Sequence, residues 1–423
     1  MATLGLRANA RQFWLLVLVN AFVGGTVGLE RSILPLLAER EFGIASGAAT
    51  LSFLISFGIV KACANLAAGG LSDRYGRKRV LVAGWLLGIP VPLLIMLAPT
   101  WGWIVFANLL LGANQGLTWS TTVAMKIDLA GPARRGFAMG LNEFAGYLAV
   151  ALAALASAAI AERWGLRPEP FYLGVVFVAA GLALSLLLVK DTSAHVLAEA
   201  GAAAMPARPE RLGKLLVRSM WSDKALSSAS QAGLMNNLND GVAWGIFPLM
   251  FASSGLSLRE IGWLAFAYPA SWGCVQLWTG ALSDRYGRRG LIAGGMFLQA
   301  AALLFVARWQ GFRGSMAGCL VLGVGTAMVY PTLLASVADS APPTTRATAL
   351  GVYRFWRDSG YALGALSAGI LADTLGMSLT VVLVAIATAG SGVIVLARMP
   401  ETRARRNDPG AEAARARPAA RYP

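Results

Sequence analysis

The chain has 423 residues, 57% hydrophobic and only 13% charged, with a mean hydropathy of +0.60. A water-soluble protein of this length needs far more polar surface to cover its core, so much of this chain faces lipid. The net charge of +15 is no nucleic-acid footprint, because the basic residues lie between apolar stretches rather than on an aromatic-interleaved face.

Crossing roughly 30 Å of hydrocarbon takes about 20 mostly apolar residues. Twelve such stretches are predicted, at 13–37, 49–71, 80–98, 103–125, 137–161, 171–189, 225–251, 261–282, 291–308, 315–337, 347–372 and 378–398. They are called spans 1 to 12 below. The first runs straight into Glu30-Arg31 without a small-residue cleavage site, so no cleavable signal peptide is expected. Cys63, Cys274 and Cys319 all fall inside spans, which argues against a disulfide framework.

Twenty-five of the 36 lysines and arginines fall in one alternate set of loops and tails, and six fall in the other. The positive-inside rule then places both termini in the cytoplasm, in a cytoplasmic (inner) membrane of bacterial type. The longest break, 190–224, is rich in Ala, Pro and charge and divides the chain into halves at 1–189 and 225–398. Within it Leu212, Leu215, Leu216 and Met220 share one helical face, with Arg211, Lys214 and Arg218 on another. That spacing fits either a short helix on the anionic inner leaflet or a solvated linker. The Arg/Ala/Pro-rich tail, 399–423, reads as disordered.

The clearest signal is internal repetition. GGLSDRYGRKR (Gly69 to Arg79) recurs as GALSDRYGRRG (Gly280 to Gly290), 211 residues later. The same displacement superposes Cys63 on Cys274, Gly140 on Gly351, Phe144 on Phe355, Glu162 on Asp373, and Gly165 on Gly376. Two six-span copies starting on the same side form a parallel repeat about the membrane normal. Gly69 and Gly280 leave room for a neighbouring helix. Asp73 and Asp284 end helices where a carboxylate can meet arginine or a helix N-terminus. Arg74, Arg77, Lys78 and Arg79 anchor the loop and can pair with that aspartate; Arg285 and Arg288 repeat them, and Gly76 and Gly287 complete the motif.

This loop, present twice at corresponding places, resembles the signature loop of the major facilitator superfamily, and the resemblance extends over essentially the whole chain. It implies an all-α integral membrane protein with twelve transmembrane helices in two pseudo-symmetric six-helix bundles. It also implies a secondary transporter working by alternating access. In that family the loop latches the cytoplasmic side, which gives Asp73 and Arg77 a gating role; the plainer alternative is that the loop only fixes topology.

Ionisable side chains at mid-membrane are costly, about 2.5–3.5 kcal/mol each on the most lenient scale, and call for a function. Glu30 and Arg31 (span 1), Lys61 (span 2), Glu143 (span 5), Asp240 (span 7) and Arg354, Arg357 and Asp358 (span 11) are the candidates. Asn236, Asn237 and Asn239 beside Asp240 make the most polar run in any span. One reading has Glu30 and Asp240 facing a cavity as proton-accepting or cation-contacting carboxylates, with Arg31, Asn236, Arg357 and Asp358 beside them. The other has Glu30 bridging to Arg31 or Arg357, and Asp240 held in the asparagine network, as fixed links between helices. Lys126 and Asp128 are expected at the inner interface. The only histidine, His195, lies in the linker, so no buried histidine relay operates.

Three departures from the resembled pattern weaken a drug/proton antiporter assignment. Asn108 stands where many proton-coupled members carry an arginine in span 4. Span 5 lacks a Gly-Pro signature, and Thr26 occupies the place of a span 1 acid. Cys63 and Cys274 at equivalent positions admit a soft-metal or arsenite reading, with small-residue packing as the alternative. Trp244, Trp272 and Trp356 lie deep enough to line a cavity for an aromatic or cationic solute, or simply to pack. No nucleophile–base pair, metal motif or phosphate loop is present, so no enzyme, cofactor or metal site is expected. The expected partners are a small-molecule substrate, protons as coupling ion and the lipid bilayer; no nucleic acid and no particular oligomeric state is implied. Proton-coupled export of a small organic or amphiphilic solute is the leading expectation. Import of a metabolite, metal or metalloid export, and a non-transporting sensor are the alternatives.

Overall fold

A computed structural model describes residues 5–130, 135–200, 212–309, 311–340 and 346–402. Among these the chain is helical, without strands. Span 1 is Ala10–Arg31 continued by Leu34–Arg40, and span 2 is Gly47–Thr50 continued by Ser52–Tyr75. Span 3 is Arg77–Gly88 with Pro90–Met96; spans 4 to 6 are Trp101–Ala130, Arg135–Trp164 and Tyr172–Leu187. Spans 7 to 12 are Lys224–Ser253, Leu258–Tyr286, Arg288–Arg308, Phe312–Ser340, Arg346–Leu375 and Met377–Arg398. All twelve predicted spans are therefore present.

Eight of these helices are long and apolar enough to cross a membrane by composition alone. Spans 4, 7, 8 and 11 are 29 or 30 residues long but more polar, because they carry Asn, Asp, Arg and Tyr inward. Elsewhere large apolar side chains stand exposed, Leu97 at 78% and Leu187 at 79% among them. In water such a surface would aggregate; in lipid it is the expected exterior.

Proline acts unevenly. Span 1 breaks after Arg31, with Pro35 in the first turn of its second piece, where a missing N–H costs nothing. Pro248 lies inside the continuous helix of span 7.

Close helix approach rests on small residues, as lipid-embedded packing requires. Gly24 and Gly28 of span 1 abut the backbone of span 5 at Gly146 and Val150. In the second half Gly360 and Gly364 of span 11 abut span 7 at Leu234 and Leu238.

The halves meet through spans 2 and 11 and spans 5 and 8. At the end away from the termini the contact is tight. A Cβ added at Gly369 would lie 2.6 Å from Ala48 Cα, and one at Gly58 2.8 Å from Ala362 N. Toward the end carrying the termini and linker, Gly69, Gly70, Gly140 and Gly351 have nothing within 4 Å of such a Cβ. Gly69 thus makes no close helix contact in this conformation, contrary to the sequence expectation. The molecule is closed at its far end and parted at its terminal end.

The linker helix Leu212–Val217, continued by a turn at Arg218–Ser222, buries Leu215 and Ser219 against protein. Ser219 Oγ accepts a hydrogen bond from Trp356 Nε1 at 3.2 Å. Leu215 and Ser219 thus dock on span 11, while Val217 and Trp221 stay exposed.

Candidate functional site

The repeated loop builds the same bracket twice. Gly76 and Gly287 take φ of +88° and +99°, a region favouring glycine. A carboxylate sits against each: a Cβ on Gly76 would lie 3.1 Å from Asp191 Oδ2, and one on Gly287 2.6 Å from Glu401 Oε2. Asp191 accepts from Lys78 N–H at 2.8 Å. Glu401 accepts from Arg288 N–H at 2.8 Å and Arg289 N–H at 3.2 Å. Each acid thus caps the positive N-terminus of span 3 or span 9. Burial alone would raise the Asp191 carboxyl. Hydrogen bonds from Ser193 and Lys78, with Arg77 nearby, hold it below the usual range instead.

The motif arginines complete the bracket. Arg77 Nε pairs with Asp128 at 2.6 Å, and Arg288 Nε pairs with Asp339 at 3.2 Å. Asp128 and Asp339 are themselves 211 residues apart, at the ends of spans 4 and 10. Arg77 is thereby tied within its own half, which Asp128 had not been expected to do. The Asp73 and Asp284 side chains lie outside the described residues, and Gly280 lies within span 8. Arg74 and Arg285 lie over the rings of Tyr75 and Tyr286, 5.2 and 5.5 Å from their centroids.

A second cluster occupies mid-membrane where the halves meet. Asp358 accepts from Arg357 Nη1 at 2.7 Å, from Asn237 Nδ2 at 3.4 Å, and from Asn65 of span 2. Asp358 is therefore bonded from both halves at once. Arg357 lies 4.1 Å from the Tyr330 ring centroid and reaches Tyr147 of the first half at 3.4 Å. Tyr268 donates to Asp240, and Tyr147 stacks on Trp272 with centroids 3.6 Å apart. Glu143 accepts from Trp119 Nε1 and Asn142 Nδ2, each at 3.0 Å. Ser120 donates to Asn65 Oδ1 at 2.7 Å.

Of the predicted residues, Arg31, Asp240, Arg357 and Asp358 belong to this junction. Glu30 does not. It is 1% exposed, beside Asn108, on a void within the first bundle lined by Val91, Pro92, Asn114 and Phe171. Successive helical residues point about 100° apart, so Arg31 and Glu30 serve different surfaces. Asn236 also leaves the junction: its Oδ1 accepts from Gln299 at 3.0 Å. Asn239 joins the same network through Gln299 and Thr388, both at 2.9 Å. Lys126 is wholly buried, its Nζ donating to Leu16 O at 3.1 Å, rather than interfacial. Among the described residues no group of three His, Cys, Asp or Glu is placed to hold a metal.

The far end carries a contact the sequence did not announce. Asp373, at the end of span 11, accepts from Ser46 Oγ at 2.8 Å, Gly47 N at 2.5 Å and Ala48 N at 3.3 Å. These donors open span 2, so a carboxylate of one half caps a helix of the other.

Two bundles of six spans related by a parallel repeat, with a charged cluster at their junction and two matching brackets, have the architecture of a membrane transporter. The chain matches the Major Facilitator Superfamily model over residues 14–236 and again over 229–422, and it belongs to that family. An uncharacterised MFS-type transporter of Salmonella typhimurium, STM4428, is 25% identical over 402 residues, covering 88% of this chain and 92% of that protein. The Bacillus subtilis MFS-type transporter YddS is 25% identical over 376 residues, 85% and 84% of the two chains. A POT family transporter solved with 5-aminolevulinic acid shares the fold at a TM-score of 0.72 and 13% identity, covering 91% of this chain and 95% of that one. The human organic anion transporter MFSD10 (TETRAN) does so at 0.67 and 16%, covering 92% and 99%. Membership of that family points to a transporter.

Proposed function

We propose that this transporter exports a small organic or amphiphilic solute in exchange for protons, by alternating access in the cytoplasmic (inner) membrane with both termini inside. The observation that carries the reading is Asp358, held by Asn65 of one half and by Arg357 and Asn237 of the other. Rocking of the halves must break the Asn65 bond. A proton on Asp358 removes the charge that makes its bonds strong, so protonation and rocking are linked. Asp240, bonded to Tyr268 in the second half, is the second proton-accepting candidate. A mid-membrane carboxylate pair at the repeat junction is where transporters of this architecture couple ions to motion. The latch function expected of Asp73 and Arg77 belongs here too, with the Arg77–Asp128 and Arg288–Asp339 brackets as its rigid parts. A small organic solute is in keeping with the 5-aminolevulinic acid bound to one protein of this fold and the organic anions named for another.

The test is growth of an efflux-deficient bacterial host carrying the intact chain, Asp358→Asn, Asp240→Asn or empty vector, against antibiotics, lipophilic ions, arsenite and soft metals. Resistance given by the intact chain and lost in Asp358→Asn is expected. Intact, membrane-inserted protein that protects against nothing sinks the export reading and makes uptake the next measurement.

A further inference from the structure

The junction holds three acids and three cations whose pairing is unequal. Asp358 bonds Arg357, Asn65 and Asn237. Asp240 bonds Tyr268, and Glu143 bonds Trp119 and Asn142. Among the cations only Arg357 has an ion pair. Among the described residues Arg31 and Lys61 have neither a salt bridge nor a hydrogen bond from the side chain. Asp358 and Glu143 act on Lys61 only from beyond ion-pairing distance.

Arg31 is 1% exposed, and its Nε and Nη1 are buried without a partner. Its guanidinium lies 5.0, 5.7 and 5.4 Å from the ring centroids of Phe57, Trp244 and Tyr361. Phe57 belongs to the first half and the other two to the second. Lys61 Nζ lies 5.4 Å from the same Phe57 ring and 5.9 Å from Trp119. Two cations thus flank one aromatic ring at mid-membrane with no bonded counter-ion, Glu30 and Asp240 acting on Arg31 and Lys61 only from a distance, and unsatisfied charged donors are expensive there. Ring faces offset part of that cost, but they offer no acceptor lone pairs to buried N–H groups. The missing complement is an anion with oxygen acceptors.

We propose that Arg31 and Lys61 form the substrate's anion subsite, taking the carboxylate or sulfonate of an organic acid whose planar apolar body packs among Phe57, Trp119, Trp244 and Tyr361. This rests on the transport reading and narrows it to organic anions. Because the walls come from both halves, the anion draws them together as it binds, and its departure leaves the cations without a bonded acceptor again.

The experiment uses the full-length chain purified into lipid nanodiscs and four radiolabelled probes sharing one ring system: 2-naphthoate, naphthalene-2-sulfonate, 2-naphthamide and 2-naphthylmethylammonium. The two anions are expected to bind at least about tenfold more tightly than the amide or the ammonium. Arg31→Gln and Lys61→Gln each remove most of that preference while leaving amide binding within about threefold. Arg31→Lys recovers part of it, since it keeps the charge and loses the planar donors. Equal binding of all four probes, tighter binding of the ammonium, no measurable binding of any, or an anion preference that survives both Gln variants overturns the proposal. Counterflow of the same probes in proteoliposomes separates the two readings. Counterflow of the ammonium alone refutes the anion subsite and leaves transport standing, whereas Arg31-dependent anion binding without counterflow does the reverse.

Discussion

Asp373→Asn is expected to loosen the closed far end of the molecule. The Asp373 carboxylate caps the start of span 2 across the junction through Ser46, Gly47 and Ala48. The repeat equivalent of Ser46 is Ser257, and there the cap is internal: Glu260 Oε2 accepts from Ser257 N and Oγ, both at 2.9 Å. Residue 49, equivalent to 260, is Ala. The first half therefore lacks its own capping acid and borrows one from the second, a loan that holds only while the far end is closed. A helix N-cap contributes about 0.5–2 kcal/mol. Since Asp373 is exposed, solvent screening favours the low end, about 0.5–1 kcal/mol, or roughly a 2- to 5-fold change in the ratio of far-closed to far-open forms. The assay is pulsed electron spin resonance between labels at Glu162 and Arg259, exposed at the far ends of spans 5 and 8, after replacing the native cysteines. Asp373→Asn should add a longer-distance population. Ala49→Glu should do the same, because a cis capping acid competes for Ser46. Unchanged distances in both variants would refute the argument that this cap holds the gate.

Arg77→Gln removes the ion pair to Asp128, a 9% exposed carboxylate that keeps its hydrogen bond from Thr192, and is expected to destabilise the first bundle by at most about 3 kcal/mol. Thermal loss of monomer in size-exclusion chromatography checks this, and Arg77→Gln/Asp128→Asn should recover much of the loss. Gly76→Ala meets both a positive φ and the Asp191 carboxylate; a cost of about 1–2 kcal/mol from the backbone alone should appear as a lower unfolding temperature, with Gly287→Ala alike. The Asp191 cap is held by a depressed carboxyl, so its stabilisation is complete above the ordinary aspartate range and is lost as pH falls through the depressed value. Intact protein and Asp191→Asn should therefore differ in thermal stability at pH 7 and converge as pH falls below the ordinary aspartate range. Asp358→Asn in proteoliposomes should abolish proton movement coupled to solute while leaving solute exchange within about tenfold; proton movement that persists would remove Asp358 from the coupling step.

Span count, the half-and-half division and the signature loops were legible because lipid imposes length and apolarity on each span, and because a repeat at 211 residues needs no structure to be seen. The bracket partners were legible only in hindsight. Asp128 and Asp339 share the displacement of Arg77 and Arg288, and that coincidence was the available signal. What failed were statements about which way a side chain points. Glu30 and Asn236 looked equivalent to Arg31 and Asp240 because all four are polar residues in apolar helices. A difference of one or four positions on a helix nevertheless sends a side chain to another neighbour, and no local pattern names that neighbour.

Sequence alone thus determined the solvent, the number of crossings, the repeat and the family, since each follows from composition and spacing along the chain. Tertiary structure decided the rest. It turned Glu30 into the first bundle and Arg31 into the junction, joined Asp358 to both halves, and let Asp373 cap a helix more than three hundred residues away. The physical reason is that burial and pairing are properties of the space between helices. That space is fixed by how glycine-lined faces pack, not by the order of residues within any one span.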